Sequence, residues 1–490
     1  MVEENEEAFA KALNDDLHRS RVASLMFEVW DIIGQVSYML ENLESFAKED
    51  KLSTPLSMKP LSYEVWKEPY GVVTVISPWN FPLGLLLNPL AGALAAGNAC
   101  VLKPSEVSAS CSQLLAELIP KYLDTSAVAV VTGGVEQAKE LLAQKVDKIQ
   151  YTGGSKVGRI VMAEAAKNLT PVTLELGGKC PTYVDESANI ETSARRICFF
   201  KNLNAGQVCI APDFVMVHQK VRDAFLKHLE AVHASMFPGK EQECEEKCRI
   251  ISDAHFNRVS SLLQDSHGGQ VLMGGKPDAA DKFIPFTIVV DPSPDCALMQ
   301  DEIFAPILPV FTVQSVDEAI AMCGGKPTPL ASYVFEQNPS VGKKWLTEVP
   351  SGGACVNDCT SHIMHKEGGL GGKGESGMGA TRGRASFDTF THRKVVALQS
   401  PGFELPGKYP PYKVSKLPKL FSLKTRHRSP GARCRGRHVL MPSGHFITIL
   451  GRPRLKTLRS THVKRPPPPS LCNLIRRSLS QLRTSGLLVL

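Results

Sequence analysis

From about Tyr70 onward, unbroken apolar runs alternate with stretches whose apolar positions recur every three or four residues. "GVVTVIS" is followed by "LLLNPLAGALAAG", "ACVLKPSE" by "SASCSQLLAELIPKYL", "AVAVV" by "VEQAKELLAQ", and "KIQYTG" by "SKVGRIVMAEAAKNL". Strands that lack polar alternation and are separated by amphipathic helices predict a parallel sheet covered on both faces, a doubly wound α/β domain. Ligands of such sheets bind beyond the carboxyl ends of the strands, where the loops "SPWN", "KPSE" and "TGGSKVG" fall. A second α/β unit is predicted after "TLELGGK", with strands at "FVMVH", "IPFTIVV", "PILPVFTV" and "LASYVF", ending near "GGACVND". "SMKPLSYEVWKEP" reads as a small hairpin. The most apolar stretch, from Gly84, is interrupted by Asn88, Pro89 and Asn98, which suits a buried helix and strand better than a membrane span.

Composition refines this picture. The 490 residues are 43% hydrophobic, enough to fill two or three cores. The 13 scattered cysteines are odd in number and form no dense framework, which points to a reducing, cytoplasmic setting. The acidic, amphipathic start "MVEENEEAFAKAL" resembles neither a secretory signal nor a transit peptide. The net charge of +7 hides a split: residues 401–490 hold 19 Lys and Arg against one acid, Glu404. A basic Pro/Arg-rich tail, expected to be disordered, therefore follows an acidic body.

Cys209, in "FFKNLNAGQVCIAPD", follows a small glycine-containing turn, a poor place to bury a thiol and a good one to present it. "TLELGGK" puts Glu175 at a strand end before two glycines, and "VISPWNFP" puts Asn80 at another. A nucleophile, a carboxylate base and an amide donor are the parts that acyl-enzyme chemistry requires.

"SPWNFP", "KPSE", "TLELGGK", "NAGQVC", "DEIFAPILP" and "GESGMGATRGRASFDTFTHRK" occur in the order seen in the aldehyde dehydrogenase superfamily. From about residue 5 to 400 the chain resembles class 3 of that superfamily, most of all the 3B subgroup. The resemblance implies an aldehyde dehydrogenase-like fold: a cofactor domain over 1–175 with a bridging hairpin near 53–68, a catalytic domain over 176–360, a return segment over 361–400 and the tail over 401–490. It implies Cys209 as nucleophile, Asn80 with the Cys209 N–H as oxyanion hole, and Glu175 as the base for deacylation. It assigns NAD or NADP to Trp79, to Lys103 and Glu106 at the adenine ribose, to Gly153, Ser155 and Gly158 at the pyrophosphate, and to Glu302 and Phe304 at the nicotinamide end. The implied reaction is oxidation of medium- or long-chain, lipid-derived aldehydes by a homodimer.

Departures accompany the resemblance. Ala305 stands for the family's glycine, Gly368-Gly369-Leu370 for Leu-Pro-Phe, Val208 for threonine and Cys180 for asparagine, and the first helices are expected to be missing. Leucine at 370 would remove an aromatic wall from the cofactor or substrate cleft. Cys244 and Cys248 would share a helix face, but no metal site is expected there or elsewhere. The tail lacks a prenylation box, and its charge suits an anionic membrane or lipid-droplet surface rather than nucleic acid. A reductive acyl-transferring relative is disfavoured by Glu175; a weakened paralogue acting through its basic tail is the alternative.

Overall fold

A computed structural model describes residues 1–54, 59–265, 267–404 and 409–411, with the main chain of 438–440 and 446–448. The tail reading lies almost wholly outside the described residues. The chain divides into two compact units, and the first contains 1–46 and 69–391. In the second, β1 (Asp50–Leu52) pairs antiparallel with β2 (Ser62–Pro69), in register Asp50 to Val65. The expected hairpin is therefore present, its first strand starting earlier than the sequence pattern suggested.

The first unit holds two large sheets. One contains β3 (Val72–Ile76), β4 (Ala99–Lys103), β5 (Val128–Val130), β6 (Lys148–Thr152) and β7 (Val172–Glu175), all mutually parallel. The other contains β8 (Pro181–Val184), β9 (Phe214–His218), β10 (Gln270–Met273), β11 (Thr287–Val290), β12 (Ile307–Val313), β13 (Ala331–Phe335) and β14 (Gly353–Val356). Only β10 runs antiparallel there. β15 (Gly377–Met378) adds antiparallel to β7, and β16 (Thr391–Leu398) joins β2 in the small sheet.

Every residue of β4, β6, β8, β9, β11 and β13 is buried, so most of these strands lack polar alternation, although β6 carries Lys148, Gln150 and Thr152 into the interior. The apolar stretch from Gly84 forms the helix Gly84–Ala95 and then β4. Among the described residues, no helix is long and apolar enough to cross a membrane.

The order of the first sheet is β15-β7-β6-β3-β4-β5. The chain runs outward from β3 through β5, then returns to lay β6 on the other side of β3. This reversal opens a crevice past the ends of β3 and β6, the usual ligand position in an open α/β sheet. The loops carrying Trp79 and Asn80, and Gly153 and Gly154, follow those two strands.

Candidate active site

Cys209 is presented by an unusual turn. After the helix Ile190–Asn202, Asn204 and Ala205 have φ of 52° and 53° and Gly206 has φ of 70°. Left-handed backbone is costly for residues with a Cβ and persists only where its surroundings hold it. At Gly206 a side chain would also collide with the main-chain carbonyl of Ala305.

Asn204 is braced by Arg19, whose guanidinium donates to its side-chain oxygen at 2.7 Å and to the Asn80 carbonyl at 2.7 Å. Asn204 Nδ2 also donates to the Asn80 carbonyl, at 2.9 Å. Arg19 pairs with Glu28, and both are buried. Glu28 in turn accepts the N–H groups of Leu83 and Gly84, each at 2.8 Å, where the helix after the Asn80 loop begins. The Asn80 side chain donates to the Gln207 carbonyl at 3.0 Å. Gln207 is itself anchored to the carbonyls of Asn204 and Arg249 and to the N–H of Ile251.

The half-buried thiol of Cys209 is pushed up to about 12 by burial, then by the carboxylates of Glu302 and Glu175; the N–H groups of Cys209 and Ile210 oppose the rise. Those N–H groups therefore point where negative charge on sulfur is stabilised. Glu175 ends β7 and is buried. Burial raises its pKa to about 7, against the Thr381 hydroxyl and the charge of Arg382. Burial and Asp213 raise Glu302 to about 8.

The proposed cofactor residues cluster at strand ends. Trp79 meets the Phe304 ring edge-on at 5.4 Å, and Phe304 has φ of 51°. The Lys103 ammonium, at the end of β4, donates to the Pro104 carbonyl at 2.9 Å and to Glu106 at 3.4 Å. Gly153 donates its N–H to the Glu175 carbonyl at 3.0 Å, joining the cofactor loop to the catalytic strand. Ser155 starts the helix Ser155–Ala166, whose first N–H groups have no intrahelical acceptor.

Gly154, which precedes that helix, is exposed and a Cβ there would meet no atom within 4 Å, so the helix end is accessible, as a pyrophosphate would require. Gly158 plays a different part: a Cβ there would strike Leu176 Cδ2 at 2.7 Å, so this glycine lets the helix pack on the sheet. With the acid of Glu106 beside Lys103 and the aromatic pair of Trp79 and Phe304, these residues fit NAD(P).

The departures are absorbed by the fold. Ala305 is fully buried and is not among the left-handed residues, so its methyl group is accommodated. Leu370 is buried in an apolar cluster against which Cys209 packs, and the buried Cys180 thiol lies 3.5 Å from the Cys209 carbonyl. Cys244 and Cys248 do not share a helix: the short helical turn Glu241–Glu243 ends before them. Sequence reasoning missed Arg19, Glu28, Asn204, Gln207 and Thr381. Arg19 and Glu28 lie 61 and 52 residues before Asn80 in sequence, in a stretch whose pattern singled out no chemistry.

The profile of the aldehyde dehydrogenase family matches residues 1–396. Human aldehyde dehydrogenase family 3 member B1 is 42% identical over 418 residues, covering 85% of this chain and 89% of that protein. The mouse enzyme named aldehyde dehydrogenase, dimeric NADP-preferring, is 40% identical, covering 86% of this chain and 92% of its own. The solved substrate-bound state of Staphylococcus aureus AldH superposes with a TM-score of 0.82 at 36% identity, over 84% of this chain and 90% of that one. The chain belongs to the aldehyde dehydrogenase family, oxidoreductases that oxidise aldehydes with NAD(P). Its similarity to 3B members places it in class 3 of that family.

Proposed function

We propose that this class 3 enzyme oxidises medium- to long-chain, lipid-derived aldehydes, with Cys209 as nucleophile, Asn80 as oxyanion donor and Glu175 as base. The observation that carries the site assignment is the joining of the loops at Cys209: the Asn80 amide is tied to Gln207, two residues before the thiol, while the thiol feels the Glu175 carboxylate.

The Cys209 sulfur adds to the aldehyde carbon as its proton leaves, with Glu175 and Glu302 as the carboxylates beside it. The resulting oxyanion takes hydrogen bonds from Asn80 and the Cys209 N–H, a contribution of about 10²–10³ in rate per donor. NAD(P), which Lys103, Glu106, the loop after β6, and Trp79 with Phe304 would hold, would supply the hydride acceptor for that carbon. What remains on Cys209 is a thioester. Glu175 takes a proton from the water that attacks it, the carbon–sulfur bond breaks, and the acid leaves with the sulfur restored.

The chain-length reading is supported by an aromatic run. Phe27 lies 6.3 Å from Phe199 and Phe199 lies 5.1 Å from Phe200, between ring centroids. Phe199 is exposed, whereas Phe200 and Phe81 pack against the same cluster as Cys209. Each buried methylene contributes about 0.8 kcal/mol, up to roughly fourfold in kcat/KM. NADH formation with unbranched aldehydes of increasing length tests this reading, and a flat or falling series would remove it.

The class 3 relative named as dimeric supports a homodimer, which sedimentation equilibrium checks. The charge of the tail supports peripheral contact with an anionic membrane surface.

A further inference from the structure

The segment that departs from the family at Gly368-Gly369-Leu370 is tied to the base of the site. Leu370 and Thr381 exchange both main-chain hydrogen bonds, each 2.7 Å, as an isolated antiparallel bridge. Around them the chain packs main chain against main chain. A Cβ at Gly371 would run into the carbonyl of Gly379, and one at Gly377 into that of Leu174. Gly377 is paired with Glu175 itself through β15 and β7. This collar leaves Thr381 little freedom, and its hydroxyl donates to Oε1 of Glu175.

Both residues are buried, with Thr381 and Glu175 each 3% exposed. Among the described residues, Thr381 is the one side chain that hydrogen-bonds the Glu175 carboxylate. Arg382 acts on it through charge alone, and Cys209 is the titratable group that senses it. Arg382 itself is engaged by Asp31.

We propose that Thr381 is a positioning residue for deacylation: its hydroxyl fixes the Glu175 carboxylate in one orientation beside Cys209. One carboxylate oxygen is held while the other is left to take the proton of the attacking water. The proposal rests on Glu175 being the general base, and the experiment separates the two ideas.

Full-length wild type, Thr381→Val, Thr381→Ser, Glu175→Gln and the double variant Glu175→Gln/Thr381→Val are compared. Two quantities are read: the first-turnover NADH formed per site, and decay of the Cys209 acyl adduct followed by intact mass. Valine keeps the shape of threonine and removes the donor. Thr381→Val should keep its first-turnover NADH and slow acyl decay by about 10- to 100-fold, the scale on which a misplaced catalytic group costs rate. Because the lost hydroxyl favoured the carboxylate, the acid limb of acyl decay should move to higher pH. Thr381→Ser should restore both the rate and the limb. In the double variant, valine should add nothing to the effect of Glu175→Gln.

An unmoved limb and unchanged decay in Thr381→Val, with Glu175→Gln slow, would overturn the proposal and leave Glu175 as base. Normal acyl decay in Glu175→Gln would remove the base reading itself. Loss of first-turnover NADH in Thr381→Val and Thr381→Ser alike would make Thr381 a structural residue and reject the proposal.

Discussion

The side-chain amide of Asn80 donates to the main-chain carbonyl of Gln207, 127 positions later in the chain, at 3.0 Å. The contact fixes the separation between the candidate oxyanion donor and the residue that leads into Cys209. Asn80 carries two amide hydrogens, so one holds the loop and the second is left to donate to a substrate oxygen.

Cys209→Ala should abolish aldehyde oxidation and any ester hydrolysis while leaving NAD affinity within about twofold. Of the candidate cofactor residues, Trp79, Lys103, Glu106, Gly153, Ser155 and Gly158 sit at or after the ends of β3, β4 and β6 rather than on the Cys209 turn, and Glu302 is the one coupled to the thiol by charge. Fluorescence titration with NADH gives the affinity and steady-state assays give the rate. Turnover above a few per cent of wild type would reject Cys209 as nucleophile.

Glu175→Gln should yield about one NADH per site rapidly, followed by slow turnover, because deacylation comes after hydride transfer. Burial holds Glu175 near a pKa of about 7, and only its charged form accepts a proton. In wild type, acyl decay should therefore rise with pH through about 7 and level off above it. A burst and a steady rate that fall together would assign Glu175 to thiol activation instead.

Much of this organisation was legible in the sequence. Buried parallel strands leave apolar runs, so most strands from Val72 to Phe335 and the helices of the first sheet stand out, whereas the short β8 and the edge strand β10 gave no such run. Cys209, Glu175 and Asn80 each sit at a break between such a run and a glycine- or proline-containing turn. Arg19 and Glu28 gave no comparable sign, because a buried ion pair looks in sequence like any two charges on a surface helix. Thr381 was hidden for another reason: its contact with Glu175 crosses 206 positions and depends on the packing of glycine main chain. At Gly158 the glycine spacing that suits a phosphate loop also serves packing, since a Cβ there would strike Leu176.

Leu370→Phe tests one expectation that the structure changes. The sequence reading placed residue 370 on a cleft wall, where an aromatic ring would improve binding. Leu370 is instead 6% exposed within a packed cluster and hydrogen-bonded to Thr381. A larger ring should overpack this site at a cost of about 1–3 kcal/mol, with no gain in KM. Denaturant unfolding and steady-state kinetics check the two halves; a lower KM at unchanged stability would restore the cleft-wall reading.

The tail should govern adsorption rather than chemistry. Every candidate catalytic residue precedes residue 400, and each Lys or Arg near an anionic leaflet contributes about 1 kcal/mol. Protein ending at Ser400 should keep its kcat and lose sedimentation with phosphatidylserine vesicles. Binding of the full chain should weaken at high salt, as the Debye length falls from about 10 Å at 0.1 M to 3 Å at 1 M. Equal binding by both forms would place the contact on the body.

Arg19→Met should damage stability and catalysis together. Arg19 and Glu28 are 1% and 0% exposed, and Arg19 alone links Glu28 to the carbonyl of Asn80 and the side chain of Asn204. Removing one member of a buried pair leaves the other without compensation, at about 3–5 kcal/mol. The loss does not stop at stability, because the same guanidinium braces both the Asn80 loop and the left-handed turn before Cys209. A loosened oxyanion donor acts on the transition state more than on bound aldehyde, so kcat should fall by at least about tenfold with a smaller change in KM. Arg19→Lys keeps the charge but loses the planar fork that reaches several acceptors, so it should recover stability better than kcat. Urea midpoints and steady-state rates for the two variants decide the matter. Equal recovery of both quantities by lysine would reduce Arg19 to a counter-charge for Glu28 and sever it from the geometry of the site.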